Sequence, residues 1–202
     1  MVTNCVKKND ETFARCDSFI LKTNVHYPTD LSLLFDSTRK AIQLTAKLCE
    51  SFAMSNFRQN KYNIASIKKA MRKLQKLRRS KSKNEKTAAK RSLEIKNQCN
   101  SYLEICQHNI SKVKGIKHYI LENNLGGIES FSNIDQFVNH ADRFMDQIRR
   151  RIINEESIPH EEKVFSVFEE HTEWISKGKA GVPVELGLRV AIVECQFGFI
   201  LS

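Results

Sequence analysis

No run of 18 apolar residues occurs in this chain of 202 residues, so no membrane-spanning helix is expected. Two lysines stand among the first ten residues, but no apolar stretch follows them. A secretory signal is therefore not expected, and the expected location is the cytoplasm. The six cysteines (Cys5, Cys16, Cys49, Cys99, Cys106 and Cys195) include no C-x-x-C pair. The closest two, Cys99 and Cys106, stand seven apart, two helical turns on one face, so reduced buried thiols are expected in place of zinc ligands or disulfides. Signatures of several common enzyme classes are missing as well: there is no G-x-x-x-x-G-K-[ST] loop, no G-x-G-x-x-G, no H-E-x-x-H and no G-x-S-x-G. The six histidines never pair at metal-ligand spacing, and no internal repeat or long heptad pattern is present.

What is present is an ordinary globular composition, 41% hydrophobic and 28% charged, with one local peculiarity. Residues 58–96 hold 15 Lys and Arg against two acids, Glu85 and Glu94, a net of +13. The whole chain carries +10, so the remainder is slightly acidic. Positive charge gathered in one segment of an otherwise balanced protein points to a polyanionic partner. Lys68, Lys69, Arg72, Lys73, Lys76, Arg78 and Arg79 are the candidate DNA contacts; the competing interpretation is a solvated helical face.

Taken in order, the chain reads as follows. Residues 12–25 mix Phe13, Phe19, Ile20 and Val25 with polar residues over a strand-like length. Pro28 ends that strand, and Thr29 or Asp30 can cap the helix that follows. Over 31–56 the positions Leu34, Thr38, Ala41, Ile42, Thr45, Leu48, Cys49 and Phe52 recur at steps of three and four, the mark of a helix with one buried face. Ile64, Ile67, Met71 and Leu74 make a stripe on the basic segment; after a polar break at 80–84, Leu93, Tyr102, Cys106, Val113, Ile116 and Ile120 continue one. Two helices in a hairpin are expected. Gly126-Gly127 should stop the second.

A further helix should open at Ser132 with a capping-box-like Asp135 and bury Ile134, Val138, Ala141, Met145, Ile148 and Ile152. Arg149-Arg150-Arg151 at its end read either as a solvated helix terminus or as a phosphate contact. Residues 163–168, 173–175 and 184–193 read as β segments, with a Gly/Lys loop at 176–181 and a turn at Gln196-Phe197-Gly198.

Two stretches resemble a known family. Asp17-Ser18, then Val25-His26-Tyr27-Pro28-Thr29-Asp30 with Leu33-Leu34, is similar to the first-aspartate segment of bacterial insertion-sequence transposases of the DDE type, ISNCY group. The stretch from Ile158-Pro159-His160-Glu161-Glu162-Lys163 through His171-Thr172-Glu173-Trp174-Ile175-Ser176-Lys177-Gly178-Lys179 to Val184-Glu185-Leu186-Gly187 resembles the block that follows the helical insertion in those proteins. The resemblance spans roughly residues 12–201, the basic middle matching only as an insertion.

It implies an α/β, RNase H-like core in which two aspartates and a glutamate hold two Mg²⁺ (or Mn²⁺) ions for in-line phosphoryl transfer on DNA. Asp17 maps onto the first aspartate, as catalytic residue and metal ligand. The second aspartate and the glutamate would lie beyond Ser202, and Glu169, Glu173, Glu185 and Glu194 match no catalytic position. Lys177 and Lys179 are candidate DNA-backbone contacts, or ordinary loop lysines.

The expected organisation is a loose terminus at 1–11, the first strand and helix of a partial core at 12–57, a basic helical insertion at 58–157 and a truncated β-hairpin of the core at 158–202. The expected function is that of a transposase fragment inactive by itself, with DNA and further copies of itself or of a full-length transposase as partners. The alternative is a non-catalytic, basic helical nucleic-acid-binding or regulatory protein. The chain stops in apolar β sequence, which reads as a cut, and an uncovered strand edge would favour aggregation.

Overall fold

A computed structural model describes residues 14–80, 85–125, 131–176, 181, 183–195 and 197–200. The chain is mixed α/β and mostly helical: four long helices and one three-stranded antiparallel sheet. It divides into two compact units, Met1–His26 with Glu169–Ser202, and Tyr27–Phe168.

The helical unit is built on α1 (Asp30–Ser51), which packs against α2 (Asn60–Arg79), α3 (Glu85–Glu122) and α4 (Ser132–Ile148). Thr29 starts α1 as expected. Its hydroxyl accepts from the Ser32 amide at 3.2 Å while the Thr29 amide donates to the Ser32 hydroxyl at 3.1 Å. This reciprocal capping box satisfies donors that a helix start otherwise leaves open. Because α1 touches three neighbours, its buried arc is wider than the expected stripe and takes in Ser37 besides Thr45 of that stripe. Their hydroxyls donate to the Leu33 and Ala41 carbonyls, both at 2.8 Å, which removes the cost of burying them.

Helix α1 ends where Ala53 takes a positive φ of 53°. Met54 then donates to the Cys49 carbonyl at 2.8 Å and Ala53 to the Glu50 carbonyl at 3.1 Å, a Schellman closure. Helix α3 ends in the same manner at Asn124 (φ 50°), with Leu125 donating to Ile120 and Asn124 to Leu121. The stop thus falls before Gly126-Gly127, which lie outside the described residues. Asparagine tolerates the left-handed region well enough to do what glycine was expected to do.

The buried faces of α2 and α4 follow the expected periods: Ile67, Met71 and Leu74 on α2, and Ile134, Val138, Ala141, Met145 and Ile148 on α4. Phe137 and Phe144 join the core as well. Leu93 departs from expectation, 62% exposed near the start of α3. The residue before α4 is Phe131, whose side chain makes no cap hydrogen bond. Asp135 binds the Lys117 ammonium at 2.6 Å. After α4 the chain widens into a π-helical turn, Arg149–Ile153.

The sheet unit has strands β1 (Ala14–Lys22), β2 (Glu173–Ser176) and β3 (Val184–Cys195) in the order β1-β3-β2. Residues 163–168, expected as strand, are irregular. The register runs from Ala14 opposite Cys195 to Lys22 opposite Gly187, and from Glu173 opposite Gly187 to Ser176 opposite Val184. Alternation along strands then places Phe19, Leu21, Trp174, Leu186, Leu188, Val190 and Ile192 on one face. Gly198 (φ 78°) makes the turn after β3, its amide donating to the Cys195 carbonyl at 2.9 Å.

Candidate nucleic-acid interface

Helix α2 carries the site. Ile67, Ala70, Met71 and Leu74 recur at three- and four-residue steps and are buried. The same geometry turns Lys68, Lys69, Arg72, Lys73, Lys76 and Arg79 outwards, while Arg78 continues the spacing of the buried stripe at the end of the helix; all seven are exposed. At a rise of about 1.5 Å per residue, Lys68 to Arg79 spans roughly 16 Å, the axial length of about five phosphates on one strand. Among the described residues, none of these seven is ion-paired to a carboxylate. Arg72, Lys76 and Arg79, with Gln75 and Ser80, line a shallow recess of about 520 Å³. Lys177 and Lys179 lie outside the described residues.

Several other cations of the helical unit are engaged. Arg91 donates to the Leu77 carbonyl and the Ser80 hydroxyl, fastening the end of α2 to α3. Lys96 pairs with Glu155 at 2.8 Å, and Lys114 with Asp142 at 2.7 Å.

The arginine triplet is split by its surroundings. Arg150 binds Glu162 most closely, Glu156 at 3.1 Å and Asp146 at 3.5 Å. Arg151 binds Asp30 at 2.7 Å, so neither is a free phosphate contact. Arg149 is exposed and near Cys99, as Arg78 is. It lines a shallow recess with Asn100, Glu104, Gln107 and His108 of α3.

Those carboxylates respond to their donors. The Glu162 carboxyl is held below the usual range by its bonds to Arg150, and that of Glu156 by Asn154 and Arg150. A pKa lowered in the folded state stabilises above the unfolded value and is lost as pH falls through the folded one. Replacing Arg150 with glutamine is accordingly expected to raise the Glu162 midpoint towards the ordinary carboxylate value. A carboxyl titration followed by NMR checks this, and an unmoved midpoint contradicts the clamp.

Of the thiols, Cys49, Cys99 and Cys106 are buried and unoxidised, Cys195 is half-buried and Cys16 exposed. Burial raises the pKa of Cys99 to about 11 and that of Cys106 to about 12, leaving both unreactive.

Asp17 is exposed on β1, opposite Ile192. Its Oδ1 accepts from the Ser18 amide at 2.8 Å. Glu185 falls on the opposite face, half-buried and 3.8 Å from Lys22. Glu194 shares Asp17's face but stands opposite Arg15. Among the described residues no three His, Cys, Asp or Glu side chains gather where they could hold a metal ion. A pair of Mg²⁺ ions needs several converging oxygens, and the donor set around Asp17 does not fit it.

A mostly helical α/β protein with one cationic helix surface is the class that fold and site define. Comparison with known protein families, with curated proteins and with solved structures finds no match. No helix among the described residues is long and apolar enough to cross a membrane.

Proposed function

We propose that this protein binds nucleic acid by phosphate contact through the outward side of α2. The observation that carries the proposal is the row of seven exposed cations, Lys68 to Arg79, without carboxylate partners among the described residues. Surface cations that serve only solubility tend to be interspersed with acids; here the acids of the helical unit neutralise other cations. Phosphate contacts release counterions, so affinity should fall steeply with salt and carry little sequence preference.

Exchanging Lys68, Lys69, Arg72, Lys73 and Lys76 for glutamine is expected to weaken duplex binding at low salt by about a hundredfold or more. The slope of log K against log salt should shrink by about 0.9 for each phosphate that is no longer neutralised. Titrations by fluorescence anisotropy at several salt concentrations measure both. Binding that ignores salt, or survives the five substitutions, overturns the proposal.

A second reading, a piece of a DDE-type transposase with a partial RNase H-like core, is favoured by a separate observation. The strand segments within the two stretches that resemble that family, Asp17 on β1 and residues 173–176 and 184–187 on β2 and β3, belong to one antiparallel sheet although some 150 residues separate them, while Asp30–Leu34 and Ile158–Phe168 belong to the helical unit. In that reading Asp17 is a metal ligand by descent, Mg²⁺ or Mn²⁺ belongs to the intact family, and the chain binds DNA without cutting it. A nicking assay with either metal is expected to be negative. Robust cleavage abolished by Asp17→Ala would overturn that inactivity.

A further inference from the structure

We propose that β1 is a self-association edge: two copies of this chain pair their β1 strands antiparallel about Cys16, setting Arg15 of each copy against Asp17 of the other. Among the described residues, the order β1-β3-β2 leaves β1 at the margin of the sheet. It is nine residues long, contains neither proline nor glycine, and only Ile20 in it is partly covered. Edges left long, extended and uninterrupted are templates for another strand.

The phase of the ladder states which backbone groups are open. Thr23 donates to the Leu186 carbonyl at 3.3 Å, continuing the register in which Lys22 stands opposite Gly187. Hydrogen-bonded pairs alternate along an antiparallel ladder, so Arg15, Asp17, Phe19 and Leu21 turn their N–H and C=O groups to β3. Ala14, Cys16, Ser18, Ile20 and Lys22 turn theirs to the open edge. A second strand must therefore set even positions opposite even positions.

The symmetric registers that satisfy this differ in charge. Centring on Arg15 or on Asp17 puts like charges face to face. Centring on Ser18 or Phe19 sets Asp17 against Phe19 or Leu21. Centring on Cys16 alone brings Arg15 opposite Asp17, twice by symmetry, at positions of the closer, non-hydrogen-bonded type, with Cα atoms about 4.5 Å apart. The interface is isologous and closed, so it yields a dimer and not a fibre. The two Cys16 residues then oppose each other with Cα atoms about 5.5 Å apart, a span that a disulfide can bridge. This pairing is independent of nucleic-acid binding.

Sedimentation velocity on the full chain, from micromolar to millimolar, tests the register by charge exchange. Arg15→Asp and Asp17→Arg each make both cross-strand pairs repulsive and should each lower the association constant by about tenfold or more. Mixed one to one, the two variants restore both attractions, and a heterodimer of at least wild-type affinity should form. Because recovery on mixing needs both chains folded, misfolding cannot imitate it. In a Cys5→Ser background, diamide oxidation should link wild-type copies, and Cys16→Ser should abolish the link. A wild-type chain that stays monomeric throughout overturns the proposal. So do single variants that dimerise as the wild type does, or a mixture that remains monomeric.

Discussion

Replacing Gly187 with valine is expected to unfold the three-stranded sheet while leaving the helices in place. Gly187 stands in the middle strand, opposite Lys22 on one side and Glu173 on the other. A Cβ added there would lie 2.3 Å from the Leu21 carbonyl oxygen and 2.8 Å from Cγ2 of Ile20. The first of these is backbone and cannot swing aside, so β1 has to move away from β3. Overpacking of this kind costs about 1–3 kcal/mol, and more where the obstacle is rigid. Three strands are close to the minimum for an independently stable sheet, and such a loss exceeds what the sheet can absorb. Amide hydrogen exchange should show protection lost in β1 and β3 and kept in α1 to α4. Retained protection in β1 would mean that the strands do not approach so closely.

The second large effect is expected in the helical unit. Phe144 on α4 is 0% exposed, belongs to the core that also holds Leu34, Ile42 and Tyr102, and stacks on His140 with ring centroids 6.1 Å apart. Phe144→Ala removes its transfer free energy and leaves a cavity, at a cost of about 3–5 kcal/mol. Against a typical domain stability of about 5–15 kcal/mol, that is a large share. In urea denaturation the midpoint should fall with the slope unchanged. Leu93→Ala is the contrasting control: the side chain is 62% exposed, and a change within about 0.5 kcal/mol is expected. An equal effect at both positions would contradict the assignment of the core.

These two sites differ in how far the sequence announces them. The burial period of α4 is local, so Ile134 to Ile148 can be picked out from spacing alone, and the helix follows. Phe144 stands one step off that stripe and is captured because α4 packs on a neighbour with a wide buried arc. Leu93 errs in the opposite direction. Nine residues before Tyr102, at about 100° per residue, it falls on the side of α3 opposite the buried face and stays exposed. Residues 163–168 have β-type composition but are irregular, since a strand exists only where a partner strand supplies the other half of each hydrogen bond.

For the functional surface, the sequence by itself determined the concentration of charge on α2 and, through the helical period, that Ile67, Met71 and Leu74 would turn inwards while the cations turned out. Both follow from neighbours within a few turns of one helix. Only the tertiary structure decided which cations are free. Arg150 and Arg151 are taken up by Glu162, Glu156, Asp146 and Asp30, whereas Arg149 stays exposed. It also decided that Asp17 sits on an edge strand opposite Ile192, on a face where Glu194 stands opposite Arg15. Ion pairs and strand pairing depend on groups brought together from distant parts of the chain, and no local period encodes that meeting.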